Sequence, residues 1–462
     1  MSSMLYPNPN RYLTARVSPC FPICRFCDDI LLKLNGCKTY DCIFRFIKKV
    51  SMSFDYSVHK LLGTVQHYSW GGTRFLPQLL SIENPNNTPF AEYWLGVHKG
   101  GPSSIEVNKL PVLLSDAIAS DPKAALSEPV FTHFGGLPYL FKVLDVKDML
   151  SIQVHPTKEY AKVAFESEEV AGVALNASNR NYKDTNHKPE IMLAMSEFWL
   201  LHGFKSEEKI LETLESTAEF QVLAPLFKAD GLQGLYTFLM EMEQAQVDSL
   251  LSPVVKRALR NKHDNKIDKN SPDWWVSKLY ENADGIFPID KGVFSIYLFN
   301  IVCVMPGQGI FQNAGVPHAY LEGQNVELMA NSDNVLRGGL TPKHIDVPEL
   351  IKNIKFEHIE PVIIEGTKPC MGESVYPAPV HDFGIASINL DGSNGYSHET
   401  HSLEMFLVVE GGCVVNNEMS IKTGEAFVVF PGNYITLHSS GKTLIYRAFV
   451  PSVVAYSQHE EN

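Results

Sequence analysis

No stretch of the sequence reaches the ~18 consecutive apolar residues that a membrane-spanning helix needs, which excludes an integral helical membrane protein. Positive charge is also scarce: 39 Lys and Arg stand against 52 Asp and Glu, a formal net charge of −13. A protein that grips nucleic acid by neutralising phosphates needs the opposite balance. Neither a nucleic-acid nor a membrane partner is therefore expected, and any anionic ligand must meet a local basic cluster. Cysteine is sparse over most of the chain. Five of the eight, Cys20, Cys24, Cys27, Cys37 and Cys42, fall in the first 42 residues, and only Cys303, Cys370 and Cys413 follow. So cysteine-poor a body has no disulfide framework and suits a reducing, cytoplasmic setting. The leader's cysteines are separated by three, two, nine and four residues, which fits no paired C-x2-C zinc pattern. Arg11, Arg16, Arg25, Asp28 and Asp29 interrupt every apolar stretch that a secretory signal would need. Coherent patterning begins near "MSFDYSVHKLLGTVQHYSWGG", so residues 1–52 read as an extension outside the folded body, with Met52 as an alternative start.

What the chain has in quantity is short β-type runs broken by turn residues. "KLLGTVQHYSWGG", "FAEYWLGVHKGGPSSIEV" and "GLPYLFKVLDVKDMLSIQVHP" follow the rhythm of antiparallel strands, not of alternating strand and helix. "TKEYAKVAFE" reads as a helix capped by Thr157. Residues 205–285 change period: "KSEEKILETLESTAEF", "DGLQGLYTFLMEME" and "QAQVDSLLSPVVKRALRNKH" carry apolar residues at helical spacing behind Ser or Asp caps. Strand rhythm then returns, and a Pro-rich connector covers roughly 341–380. The expected division is 53–204 with 286–345 as one β domain, 205–285 as a helical insertion, and 346–462 as a connector and second β domain. "PGQGIFQNAGVPHAY" and "KTGEAFVVFPGNYITLH" echo each other: each runs from a Gly turn through a short apolar strand into a Pro-containing turn, with a His after it. The fold class expected is mainly β with an α insertion, two cupin-like jelly-roll barrels plus a helical domain.

Within "LSIQVHPTK", Gln153 and His155 stand two apart and share one face if the segment is a strand. "NHKPEIMLAM" offers Glu190 and "VPHAYLEG" offers His318. Together the four make a nitrogen and oxygen donor set suited to zinc with a position left open. Taken singly, each also fits a structural place: a His beside Pro as a turn or core residue, a Glu before an apolar run as a solvated edge. Spacing alone leaves both readings open.

The words in which these residues sit occur in order: "YSWGG", "AEYWLGVH", "LPYLFKVLDV", "LSIQVHPTK", "NHKPEIMLAM", "VPHAYLEG" and "VELMANSDNVLRGGLTPKHID", with a diverged tail after them. From about Tyr56 to its end the sequence resembles the type I phosphomannose isomerase family, zinc enzymes of two cupin domains and a helical insertion. The resemblance implies one zinc per chain on Gln153, His155, Glu190 and His318, and an active-site arginine at Arg337. It also implies interconversion of mannose 6-phosphate and fructose 6-phosphate, feeding GDP-mannose supply for glycosylation, in a cytoplasmic protein expected to be monomeric. The Cys-rich leader lies outside the family pattern, and no role attaches to Gln324 or Asn325.

Moving one proton between C1 and C2 requires stabilisation of oxyanion charge, a proton shuttle and a hold on the phosphate. Zinc serves the first job as a Lewis acid. Arg337, permanently charged, suits charge stabilisation and substrate placement. Lys188 and Glu327 are the proton-transfer candidates, with His187 or a water on the metal behind them. Ser151, Lys142 and Lys343 are candidates for the phosphate, and Trp70 and Glu92 for the pocket wall. A second metal site on His398, His401, Glu404 and His438 is not expected, because His spaced by three does not keep one strand face. Two other functions compete. Two His and one Glu also match the iron site of an oxygenase, although Gln153 and the nearby cations favour a phosphosugar. A twin cupin could instead bind sugar without catalysis, yet such a protein has no reason to keep every ligand.

Overall fold

A computed structural model describes residues 54–283, 285–370 and 372–451 of the chain. The Cys-rich leader and the suggested start at Met52 lie outside these residues. Every residue of Tyr139–Val146, Lys142 and Asp145 included, is buried, and this strand holds the centre of an antiparallel sheet. Its neighbours are His318–Ala330 on one side and Glu92–Leu95 on the other. Glu190–Ala194 follows beyond His318–Ala330, then Gln308–Gln312.

The 13-residue strand His318–Ala330 serves two sets of partners. Its first turn lies against Gln153–Val154 and Phe198–Phe204. Its second half pairs with Tyr139–Val146 and Glu190–Ala194. The register slips between Tyr320 and Glu322, and Gly323 follows at φ +128°, where an added Cβ would meet the Glu197 carbonyl at 2.7 Å. The bend therefore needs glycine. It also shifts the alternation, so that even positions His318 and Tyr320 and odd positions Asn325 and Glu327 face one interior.

Eight strands form a second sheet, in the order Glu373–Tyr376, Gly384–Leu390, Thr443–Phe449, Glu404–Glu410, Ala426–Val429, Val58–Leu62, Ser104–Val107, Leu110–Leu113. A four-stranded sheet of Tyr396–Glu399, Tyr434–His438, Gly412–Val415 and Met419–Lys422 completes the β structure. Three strands depart from the sequence expectation. The sequence pattern puts Val58–Leu62, Ser104–Val107 and Leu110–Leu113 with the first β domain, yet Val58 pairs with Val429 and Leu61 with Ala426. Alternation marks a strand, but it carries no information about a partner more than 350 residues away, as Val58 and Val429 are.

The helical block comprises Glu207–Ser216, Ala224–Glu241, Gln244–His263, Pro272–Tyr280 and Gly292–Leu298, with a 3-10 turn at Ala218–Leu223. Ser206 caps its first helix by accepting from the Lys209 amide, as Thr157 caps Lys158–Val170. The block runs past residue 285. "GVFSIYL" reads as a strand because all seven residues are buried, which erases the polar half of a helical period. The connector likewise contains a helix, Val347–Asn353, capped by Asp346. No helix among the described residues is long and apolar enough to cross a membrane.

The block packs on the strands that carry the polar residues of interest. Ile152 and Val154, fully buried, share a core with Leu201, Phe204, Leu235, Tyr236, Leu239 and Trp275. Each buried aliphatic contributes about 1.5–3 kcal/mol. The alternation of "SIQVH" is thereby fixed: Ile152 and Val154 face the helices, and Gln153 and His155 are turned the other way.

Candidate metal centre and substrate cavity

A cavity of about 720 Å³ opens where the strands converge. Of the twelve residues singled out from sequence, eleven line it: Trp70, Glu92, Lys142, Ser151, Gln153, Lys188, Glu190, His318, Glu327, Arg337 and Lys343. The twelfth, His155, is fully buried behind them. Register explains the convergence. Gln153 lies between His318 and Arg337, so the three share a face. Lys142 is opposite Glu327 on one flank and Trp94 on the other.

His155, Glu190 and His318 bring one ligand atom each within 4.8 Å of one another. Nε2 of His155 lies 3.4 Å from Oε1 of Glu190, and Nε2 of His318 lies 3.4 Å from Oε2. Both Nε2 atoms are buried and make no hydrogen bond, a costly arrangement unless something accepts their lone pairs. The other ring nitrogens are bound: Nδ1 of His155 is 2.8 Å from the Asn334 carbonyl, and Nδ1 of His318 is 2.9 Å from that of Val316. A carbonyl can only accept, so each Nδ1 carries the proton and each Nε2 is left with a lone pair. Burial, reinforced by Lys188, pushes His155 down to about 4, so its imidazole is neutral at physiological pH. Burial opposes ionisation of Glu190, but the Lys188 ammonium that donates to it holds its carboxyl well below the usual range. The two imidazoles and a carboxylate, with the Gln153 amide on the adjacent strand, fit a divalent cation such as zinc.

Beside the triad lies a second polar group. Lys142 donates to Oε1 of Glu327 at 3.1 Å and lies 3.6 Å from Glu92. Tyr320 donates to Oε2 of Glu327 at 2.8 Å. Burial works against the Lys142 charge, but Glu92, Glu327 and Glu190 hold its ammonium above the usual range. Burial pushes the Glu327 carboxyl up against the opposing pull of Lys142. At the rim, Arg337 and Lys343 make no ion pair among the described residues. Burial lowers both, and Arg337 lowers Lys343 further.

His187, held in reserve as a proton carrier, faces elsewhere: its Nε2 lies 3.1 Å from both oxygens of Asp382. Sequence reasoning passed over Tyr320, although it stands two residues after His318 on the same strand and the alternation that links Gln153 to His155 applies equally. Tyr68 and Thr341 also line the cavity unassigned. In the C-terminal sheets, His398 and Glu404 meet around the guanidinium of Arg447, and among the described residues the His155 group is the one cluster fit for a metal ion.

Residues 58–207 match the family described as phosphomannose isomerase type I, catalytic domain. The mannose-6-phosphate isomerase of Escherichia coli strain K12 is 35% identical over 396 residues, 83% of this chain and 98% of that protein. The human protein of the same name is 34% identical over 366 residues, 73% of this chain and 83% of its own length. Among solved structures, mannose 6-phosphate isomerase from Salmonella typhimurium, bound to fructose 6-phosphate and zinc, superposes with a TM-score of 0.76 at 35% identity, covering 85% of this chain and 99% of that one. With such similarity over nearly the whole length of its relatives, the chain belongs to the type I phosphomannose isomerase family.

Proposed function

We propose that this protein is a mannose-6-phosphate isomerase that uses one zinc ion, held by Gln153, His155, Glu190 and His318, to interconvert mannose 6-phosphate and fructose 6-phosphate. The observation that carries the reading is the pair of buried, unpartnered Nε2 atoms aimed at Glu190 in a cavity that also contains an uncompensated arginine. Zinc bound there supplies a Lewis acid for the carbonyl and hydroxyl oxygens at C1 and C2. Arg337, fixed beside Gln153 by strand pairing, stabilises negative charge as the proton moves between the two carbons. Lys188 donates to Glu190 at the cavity wall, beside the place those carbons must take, and carries the proton. Glu327 accepts from Lys142 on one oxygen and Tyr320 on the other, and orients these two donors. Lys142 is balanced by Glu92 and Glu327, which leaves Lys343 as the cation for the phosphate, with Ser151 on the same cavity wall. Trp70 supplies an apolar wall. Every group the reaction needs comes from one chain, which suits a monomer, and the cysteine-poor body suits the cytoplasm.

Two jelly-roll barrels, a catalytic one interrupted by the helical block and a C-terminal one that borrows strands from the first 113 residues, describe this architecture best. Incubation of the protein with mannose 6-phosphate, following fructose 6-phosphate and dissolved oxygen together, tests the function. Ketose formation without oxygen uptake is expected. Oxygen uptake without ketose would replace the reading with an oxygenase, and binding without turnover would replace it with a sugar-binding protein.

A further inference from the structure

Lys343 reaches the cavity on the segment 338–343, which is held by the helical block. Asp290, between the helices Pro272–Tyr280 and Gly292–Leu298, accepts the Leu340 amide on Oδ1 at 2.8 Å and the Thr341 amide on Oδ2 at 3.0 Å. Oδ1 also accepts the Gly292 amide at 2.6 Å. Asp290 is itself anchored, its amide donating to the Tyr280 hydroxyl at 3.0 Å. The preceding Ile289 amide donates to Asp248 at 2.8 Å. The segment depends on this support. Leu340 sits at φ +55° and Gly339 at φ +126°, a backbone that a side-chain-bearing residue such as Leu340 adopts at a cost. A Cβ on Gly339 would meet the Gly292 Cα at 2.5 Å, and one on Gly292 would meet the Leu340 amide at 2.7 Å. Leu340, Thr341 and Pro342 wall the catalytic cavity on one side and a second cavity of about 620 Å³, lined also by Asp290, on the other. Among the described residues, the strand side contributes the exchange between Ile152 and the two glycines, at 2.9 and 3.0 Å.

We infer that Asp290 is a positioning residue for the active site: its carboxylate clamps the 338–343 segment so that Thr341 and Lys343 are presented to the phosphate end of the substrate. The inference rests on the isomerase reading for the identity of that substrate. A clamp outside the cavity acts on binding geometry without touching the reacting carbons, and small misplacements of such a segment cost rate or affinity steeply.

Two measurements on the full chain separate this inference from the function. Hydrogen exchange should show the Leu340 and Thr341 amides protected in the natural protein and exchanging faster in Asp290→Ala, while the amides around His318 keep their protection. In kinetics with mannose 6-phosphate, Asp290→Ala should raise KM about tenfold with kcat within about threefold and zinc per chain unchanged. The same substitution in a Lys343→Ala background should add little, because both changes act through one segment. Asp290→Asn keeps the Oδ1 acceptor but turns an amide N–H toward Thr341, and should give a smaller rise in KM. It serves as the test should the alanine variant fail to fold. Unchanged exchange at residues 340–341 overturns the clamp. So does a loss of kcat and zinc together, or full additivity with Lys343→Ala. Faster exchange in a protein without isomerase activity leaves the clamp standing and refutes the function.

Discussion

Nε2 of His155 and of His318 owe their free lone pairs to two backbone carbonyls, Asn334 and Val316, that hold the opposite ring nitrogens. Glu327 is held by a donor instead: the Tyr320 hydroxyl donates to its Oε2 at 2.8 Å. Tyr320→Phe should lower kcat/KM by about tenfold to a hundredfold, since a hydrogen bond to a charged group contributes about 1.5–3 kcal/mol. Steady-state rates unaltered by the change would show that Glu327 needs no second donor. His202, paired in register with His318, is pushed down to about 4, first by burial and then by His318. Its folded pKa lies below the ordinary value of 6.5, so the unfolded chain takes up a proton that the fold refuses. Its contribution to stability is full above about pH 6.5 and is lost as pH falls toward about 4. Urea unfolding of the metal-free protein at about pH 7 and about pH 5 should therefore show a smaller stability difference in His202→Gln than in the natural chain. Equal differences would contradict a neutral, buried His202. The Gln153 and His155 pair was legible from alternation alone. Glu190 and His318 are 35 or more positions from it, and only the family words tied them to it.

At the level of elements, the strand Tyr139–Val146 joins the two sheets through one hydroxyl. Tyr139 donates toward the Leu403 carbonyl at 3.0 Å and the Ala448 carbonyl at 3.2 Å, with no exposed surface. Tyr139→Phe should destabilise the protein by about 1–3 kcal/mol, the cost of buried acceptors left without a donor. An unmoved midpoint in urea would mean that packing, not this bond, unites the sheets. Elements with one polar face were readable: Glu207–Ser216 and Lys158–Val170 lie close to where capping and period placed them. Gly292–Leu298, buried on all sides, was not. Glu327 was a candidate by its nearness to the ligand words and not by alternation, because counting by twos from His318 fails at the Gly323 bend.

For the whole molecule, the borrowed strands matter most. Leu61 and Ile105, essentially without exposed surface, belong to the C-terminal sheet although they precede the candidate metal ligands in sequence. A chain ending near residue 345 would leave Val58–Leu62 without its Ala426–Val429 partner, and an unpaired apolar edge associates. Such a fragment should aggregate or lack a cooperative unfolding transition in circular dichroism, and a soluble, cooperative fragment would show that the catalytic half folds alone. The echo between the two halves was legible as strand, turn and strand, but His318 opens its strand and is buried while His438 closes its own and is exposed, and among the described residues the cation-binding group belongs to the first half. The central claim is that this group holds the zinc on which isomerisation depends. It is tested most directly by counting zinc per chain and following fructose 6-phosphate formation from mannose 6-phosphate, with and without chelator, in the natural protein and in His318→Ala. About one zinc per chain, chelator-sensitive turnover, and loss of both in the variant are expected when one of so few ligands is removed. Turnover that survives chelation, or zinc retained by His318→Ala, would contradict the assignment.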